Sequence, residues 1–143
     1  MIDAWQSGRF GTHPNLPGWS GTAWSLLLVP GWRDLIGRPL EEVVARQWAT
    51  TTEVLLDDLQ ALPPSRLVRI HYDALVAEPQ AQMQQLCERV DLRWDRSPDE
   101  LHLSRHTLTL PDPEKWSQHE AALARVLPSV EATRLRAERF LRQ

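Results

Sequence analysis

Apolar positions along residues 39–62 follow a helical spacing: Val44, Trp48, Thr51, Leu55, Leu59 and Leu62 recur on one face. Pro39 suits a first helical position, and Glu41 and Glu42 fall in the positive first turn. The pattern predicts one long amphipathic helix, halted at Pro63 and Pro64. Upstream, residues 9–38 ("RFGTHPNLPGWSGTAWSLLLVPGWRDLIGR") hold no sustained period and are dense in Pro, Gly and Trp. They predict a long ordered loop of the kind that shapes a site. With little regular hydrogen bonding, the loop from Trp5 to Trp32 is expected to be ordered but comparatively mobile, its amides over Gly11 to Gly21 exchanging faster than Val68 to Ile70. "MIDAWQSG" reads as the last turns of a helix ending at Gly8, so Met1 is expected to be internal to something longer. Over residues 66–90, "RLVRIHY" is β-branched and aromatic enough for a buried strand, followed by a turn and a helix from Pro79 to about Val90. Residues 101–143 read as a loop, a helix from Pro113 and a last Arg-rich helix from about Val130. The fold class is α/β, mostly helical, with one or few parallel strands.

Composition narrows this. A length of 143 residues and a hydrophobic share of 42% fit one folded unit with a core. A net charge of −3, with fifteen scattered arginines, argues against wrapping nucleic acid. The single cysteine, Cys87, excludes an internal disulfide framework and a Cys-rich zinc site; in phase with Met83, Leu86 and Val90, it reads as buried and inert. The start lacks a secretory pattern, and the longest apolar run, Leu26 to Val29, is far too short to span a bilayer, so a soluble cytoplasmic protein is expected.

The chemistry-bearing positions each admit a plainer reading. Tyr72 ends the predicted strand, where open α/β sheets place ligands, and would equally serve as a half-buried strand-end tyrosine. Asp73 suits a cap of the following turn. Asp112 and Pro113 predict a helix start that puts Lys115, the only lysine, in the first turn. A cation there opposes the dipole at about 0.3–1 kcal/mol unless an anion sits beside it, which points to a phosphate or sulfate pocket; the alternative is a solvated lysine in an arginine-favouring sequence. Trp116 is in phase with Leu123 and Leu127 and reads as core. "GWSGTAWS" lacks a preceding strand and a cation, and reads as a structural loop rather than a phosphate cradle. His102 and His106 have metal-compatible spacing only if helical, which the nearby Thr and Pro oppose, so no metal is expected. Ser104 with His106 and Asp112 lacks a nucleophile elbow and an oxyanion hole.

"VRIHYDALVAEPQAQMQQLCERVDLRWD" resembles the "RYEDLLxDP, helix, LGLxWD" segment of sulfotransferases. "LSRHTLTLPDPEKW" resembles the loop and Lys-Trp pair of bacterial members and of tyrosylprotein sulfotransferases. "AWQSGRFGTHPNLPGWSG" and "GRPLEEVVARQW" are similar to the bacterial members too, so the resemblance covers nearly the whole chain. It implies a partial P-loop-like sulfotransferase fold, the C-terminal part of an enzyme that moves a sulfonate from 3′-phosphoadenosine 5′-phosphosulfate (PAPS) to a hydroxyl or amine of a small-molecule or peptide acceptor. Tyr72 then contacts the adenosine, Lys115 the phosphates, and Ser104, or Thr107 in its place, donates to a phosphate or to the sulfonate. Asp73 stands at an acidic position of the family, while His71 and Ala74 depart from the pattern. The family's phosphosulfate loop and catalytic base would precede Met1; His13 is the one base conceivable on the site-shaping loop. By that reading the chain alone transfers no sulfonate. The alternative function is a non-catalytic helical module derived from such an enzyme, which binds a partner through its apolar faces and would show itself by self-association; a hydrolase using Ser104 or a metal comes third.

Overall fold

Tryptophan rings organise the larger part of the chain. In the computed structural model, which describes residues 1–95, 104–110, 112 and 114–142, Trp24 has 0% of its surface exposed. Around it stand Trp19, Trp5 and Trp32, with ring centroids 4.9, 5.2 and 6.3 Å away and planes steeply inclined. Edge-to-face contacts of this kind add to the large apolar area each ring removes from water. The chain divides into two compact units, one formed by Met1–Asp58 with Leu108–Gln143 and one by Leu59–Thr107.

The first unit begins with helix α1 (Ile2–Gln6), which ends, as expected, before Gly8 at φ +66°. Strands β1 (Gly11–His13) and β2 (Trp24–Ser25) then pair antiparallel, with Gly11 opposite Ser25. A Cβ at Gly11 would stand 3.0 Å from that of Ala23, just before β2, a tight approach that favours glycine. A 3₁₀ turn (Trp32–Leu35) leads to α2 (Leu40–Gln60). The Pro/Gly/Trp stretch, an ordered loop as predicted, wraps a core of Trp5, Trp24, Trp32, Leu35, Val43 and Val44. "GWSGTAWS" is structural, as expected: Trp19 Nε1 donates to Thr22 O (2.9 Å) and Trp24 Nε1 to Leu27 O (2.9 Å).

The predicted face of α2 is only partly the buried one. Val43, Val44, Gln47 and Leu56 are buried, whereas Leu55 and Leu62 are exposed. The face turns because a polar side chain sits at its centre. Gln47, 1% exposed, accepts from Trp5 Nε1 (3.0 Å) and donates through Nε2 to Ser25 O (2.9 Å) and Leu27 O (2.5 Å). The amide replaces the water that Trp5 Nε1 and Ser25 O lose on burial.

The two predicted terminal helices are a short 3₁₀ helix (Lys115–His119) and one continuous helix α5 (Glu120–Leu141) that runs through Pro128. An internal proline costs about 3 kcal/mol; buried Val126, Val130, Thr133 and Phe140 on both sides of it supply the packing that keeps the helix whole. Arg125 pairs with Glu41 (2.6 Å), and Arg136 pairs with Glu53 and with Asp57 (2.6 Å).

The second unit corrects the predicted strand. Residues 67–71 follow a 3₁₀ turn (Pro64–Arg66) and have extended backbone at Leu67 (φ −124°, ψ 124°) and His71 (φ −78°, ψ 131°), but form no ladder. Among the described residues the one strand pair is β1 with β2, and it is antiparallel, not parallel. Propensity sets the extended conformation; a strand also needs a neighbour to exchange hydrogen bonds with. Tyr72 consequently opens helix α3 (Tyr72–Ala77) instead of ending a strand. Its cap is His71, whose Nδ1 accepts from the Asp73 backbone N–H (3.3 Å), so the Asp73 side chain is not the cap. Helix α4 (Pro79–Arg89) opens at the predicted proline and buries Cys87. It ends on Asp91 at φ +55°, with Leu92 N–H returning to Cys87 O (2.8 Å), a turn that usually selects glycine.

Candidate functional site

The only lysine and the carboxylate of α1 meet in the first unit. Asp112 Oδ1 accepts from Glu114 N–H (2.9 Å) and Asp112 O from Lys115 N–H (3.2 Å), which fixes the start of the 3₁₀ helix Lys115–His119. The N-cap is Glu114, without a side-chain cap bond, so Asp112 holds the turn before the helix and is not the N-cap its position predicts; Pro113 lies outside the described residues. Lys115 Nζ then reaches Asp3 Oδ2 (2.8 Å) and donates to Thr109 Oγ1 (2.6 Å). One helical turn on, His119 Nε2 lies 2.6 Å from Asp3 Oδ1, and Gln118 Nε2 3.4 Å from both carboxylate oxygens.

The electrostatics follow from this geometry. The hydrogen bond from Lys115, then that of His119, holds the Asp3 carboxyl below the ordinary aspartate range, against a smaller opposing effect of burial. The cation in the first turn is thus offset by Asp3, and the 3₁₀ helix behind it is five residues long, too short to present an extended dipole. An ammonium has three N–H donors. Asp3 and Thr109 take two, leaving one for a further acceptor.

Asp3, Lys115, Trp116 and His119 line a cavity of about 290 Å³ whose apolar wall is Met1, Ile2, Val44 and Leu123. Trp116 is 52% exposed there, so it is a cavity residue and not the core residue its helical phase predicts. The phase fails because the 3₁₀ segment advances three residues per turn, which rotates Trp116 out of line with Leu123 on α5.

The other anticipated residues belong to the second unit. Tyr72 is 69% exposed at the first position of α3. Ser104 and Thr107 share one exposed turn: Thr107 N–H donates to Ser104 O (2.8 Å), and Ser104 Oγ accepts from His106 N–H (3.2 Å). His106 accepts from Arg105 Nε (3.2 Å); His102, its partner in the metal spacing, lies outside the described residues. Among the described residues no group of three or more His, Cys, Asp or Glu side chains is placed to hold a metal, and no helix is long and apolar enough to cross a membrane. Asp3 and His119 escape the sequence reading because they lie 116 positions apart and carry no local motif.

No curated protein and no solved structure matches the chain. Residues 22–96 match the sulfotransferase family, a span that includes α2, Tyr72 and α4 and stops short of Ser104. That match takes in just over half of the 143 residues, and the chain belongs to the sulfotransferase family.

Proposed function

We propose that the chain serves the transfer of a sulfonate from PAPS to the hydroxyl or amine of a small-molecule or peptide acceptor. The observation that carries the reading is the family match over residues 22–96, which implies a sulfonate donor of this type. When bound, PAPS supplies a sulfonate whose S–O bond to the 5′-phosphate breaks with the electron pair on the phosphate oxygen as a new bond forms to the acceptor. Lys115 would hold a phosphate or sulfonate oxygen through the donor that Asp3 and Thr109 leave, and stabilise the charge that develops there. Asp3 keeps the ammonium in place before a ligand arrives, which lowers the ordering cost of binding. Tyr72, exposed on α3, would contact the adenosine; Ser104 or Thr107 would donate a hydroxyl hydrogen to a phosphate. In this reading the extended residues 67–71 are the chain's contribution to a parallel, P-loop-like sheet.

The test is a calorimetric titration with 3′-phosphoadenosine 5′-phosphate. Lys115→Ala should weaken binding by about 1.5–3 kcal/mol, the range for a hydrogen bond to a charged group, and Lys115→Arg should recover only part, since a planar fork replaces a compact charge. An affinity unchanged by Lys115→Ala would remove the lysine from the site. A second reading, a non-catalytic helical module derived from such an enzyme, is favoured by the capture of Lys115 by Asp3; the absence of any nucleotide binding, with self-association of the purified protein, would select it.

A further inference from the structure

The first unit holds another cavity, of about 580 Å³, which shares no lining residue with the one at Lys115. It is lined by the 3₁₀ turn Trp32–Leu35, the first half of α2 and the residues of α5 around Val126. Buried Leu35, Val126 and Val130 give it an apolar lining, and six charged side chains share it. A concave site of this volume that combines apolar surface with a few polar groups has the composition of a small-molecule site. Most of the charge is already matched. Arg125 donates to Glu41 (2.6 Å) and holds its carboxyl below the ordinary glutamate range, and Arg38 stands 3.8 Å from Glu42.

Two charges of opposite sign are left over. Among the described residues the side chains of Asp34 and Arg46 have no ion-pair or hydrogen-bond partner. Glu42, one turn before Arg46 on α2, is engaged by Arg38, and Arg33, next to Asp34, lies over the Trp32 ring instead (4.5 Å). Gly31, at φ +75°, keeps the approach to Asp34 open, since a Cβ there would stand 3.6 Å from Oδ2. We infer that this cleft binds a small zwitterion on an apolar spacer: an ammonium on Asp34, a carboxylate on the Arg46 guanidinium, and methylenes against Leu35, Val126 and Val130. A guanidinium presents paired N–H donors to a carboxylate, and an aspartate accepts from an ammonium. A ligand with one charge would satisfy one of the two residues and be repelled by the other, whereas a zwitterion satisfies both. The inference goes beyond sulfonate transfer, because no step of that reading uses this cavity.

The probes are 4-aminobutanoate, 6-aminohexanoate and 8-aminooctanoate, titrated by calorimetry into the full chain at physiological ionic strength, where diffuse surface attraction is screened. The alkylamine and the alkanoate of the same chain length are the single-charge controls. At least one amino carboxylate should bind about fivefold tighter, or more, than either of its controls, the size of one exposed charge contact. Asp34→Asn should weaken that amino carboxylate about fivefold and leave the alkanoate no weaker, and Arg46→Gln should weaken it by a similar factor and leave the alkylamine no weaker. Both side chains are exposed, so both variants keep the fold, which circular dichroism and melting verify. Failure of all three lengths to bind, single-charge controls that bind as well as the zwitterions, or an affinity indifferent to either substitution would each overturn the inference.

Discussion

The two units invert what their sequences promise. Residues 9–38 of the first have almost no periodicity, yet they contribute Trp24 and Ser25, among the least exposed side chains of the described chain, to a core knitted by four tryptophans and the Gln47 amide. The second holds the segment with the clearest strand propensity, "RLVRIHY", yet among its described residues only Cys87 is buried and that segment joins no ladder. Local propensity therefore ranks the two regions in the opposite order from burial. What stabilises the first is ring area and satisfied polar groups contributed from positions far apart in the chain.

The sharpest way to break the contrast is Trp24→Ala, which opens a cavity at the centre of the four rings and should cost about 3–5 kcal/mol, read by chemical denaturation; a loss under about 1 kcal/mol would mean that the rings contribute little. Gln47→Leu comes next. It leaves Trp5 Nε1 and the Ser25 carbonyl without the Gln47 amide, while Leu27 O keeps Trp24 Nε1, and should cost about 2–3 kcal/mol, since each unpaired buried group carries a desolvation penalty. Cys87→Ala, the counterpart in the second unit, should cost about 1 kcal/mol, of the order of one buried methylene-sized group. The smallest effect concerns acid. The folded-state pKa of Asp3 is depressed, so its stabilisation is present above the ordinary aspartate value and is lost as pH falls through the depressed one. Asp3→Asn should lower stability at neutral pH by less than about 1 kcal/mol, because the pair is partly exposed, and should flatten the acid limb of the stability curve. Hydrogen exchange sharpens the whole comparison: the Leu26 amide, bonded to Phe10 O (3.0 Å), is expected to exchange more slowly than Val68 to Ile70, the reverse of the order that periodicity implies.

What the sequence made legible was local. Pro39 and Pro79 mark helix starts and Gly8 a helix end, because each of these signals acts within a few residues. Cys87 was legible from its helical phase. The strand at 66–72 was not, since a ladder depends on a neighbour the propensity does not specify, and neither was the continuity of α5, where packing on both sides of Pro128 overrides the breaker. At the candidate site Lys115 stood out by its rarity, but the carboxylate that holds it could not be read from a single Asp more than a hundred positions away. Tyr72 was found as an exposed aromatic on the wrong element, and His71 replaced Asp73 as the cap because an imidazole nitrogen accepts as well as a carboxylate does.

The bond between Asp3 and His119 has a consequence for the order in which the molecule is made. The first unit is assembled from both ends of the chain, with residues 59–107 inserted between its halves. At about 5–20 residues per second, synthesis reaches α5 roughly 3–12 s after α2 is complete. For that interval Val43, Val44 and the tryptophans, Trp5 of α1 among them, can gather while the surface that α5 later covers stays open, and Asp3 has neither Lys115 nor His119 to bind. The inserted unit is made in full before the unit around it can close. The birth of this chain therefore includes a pause in which its apolar face is on offer, a window in which a chaperone's timing matters more than the final stability of the fold.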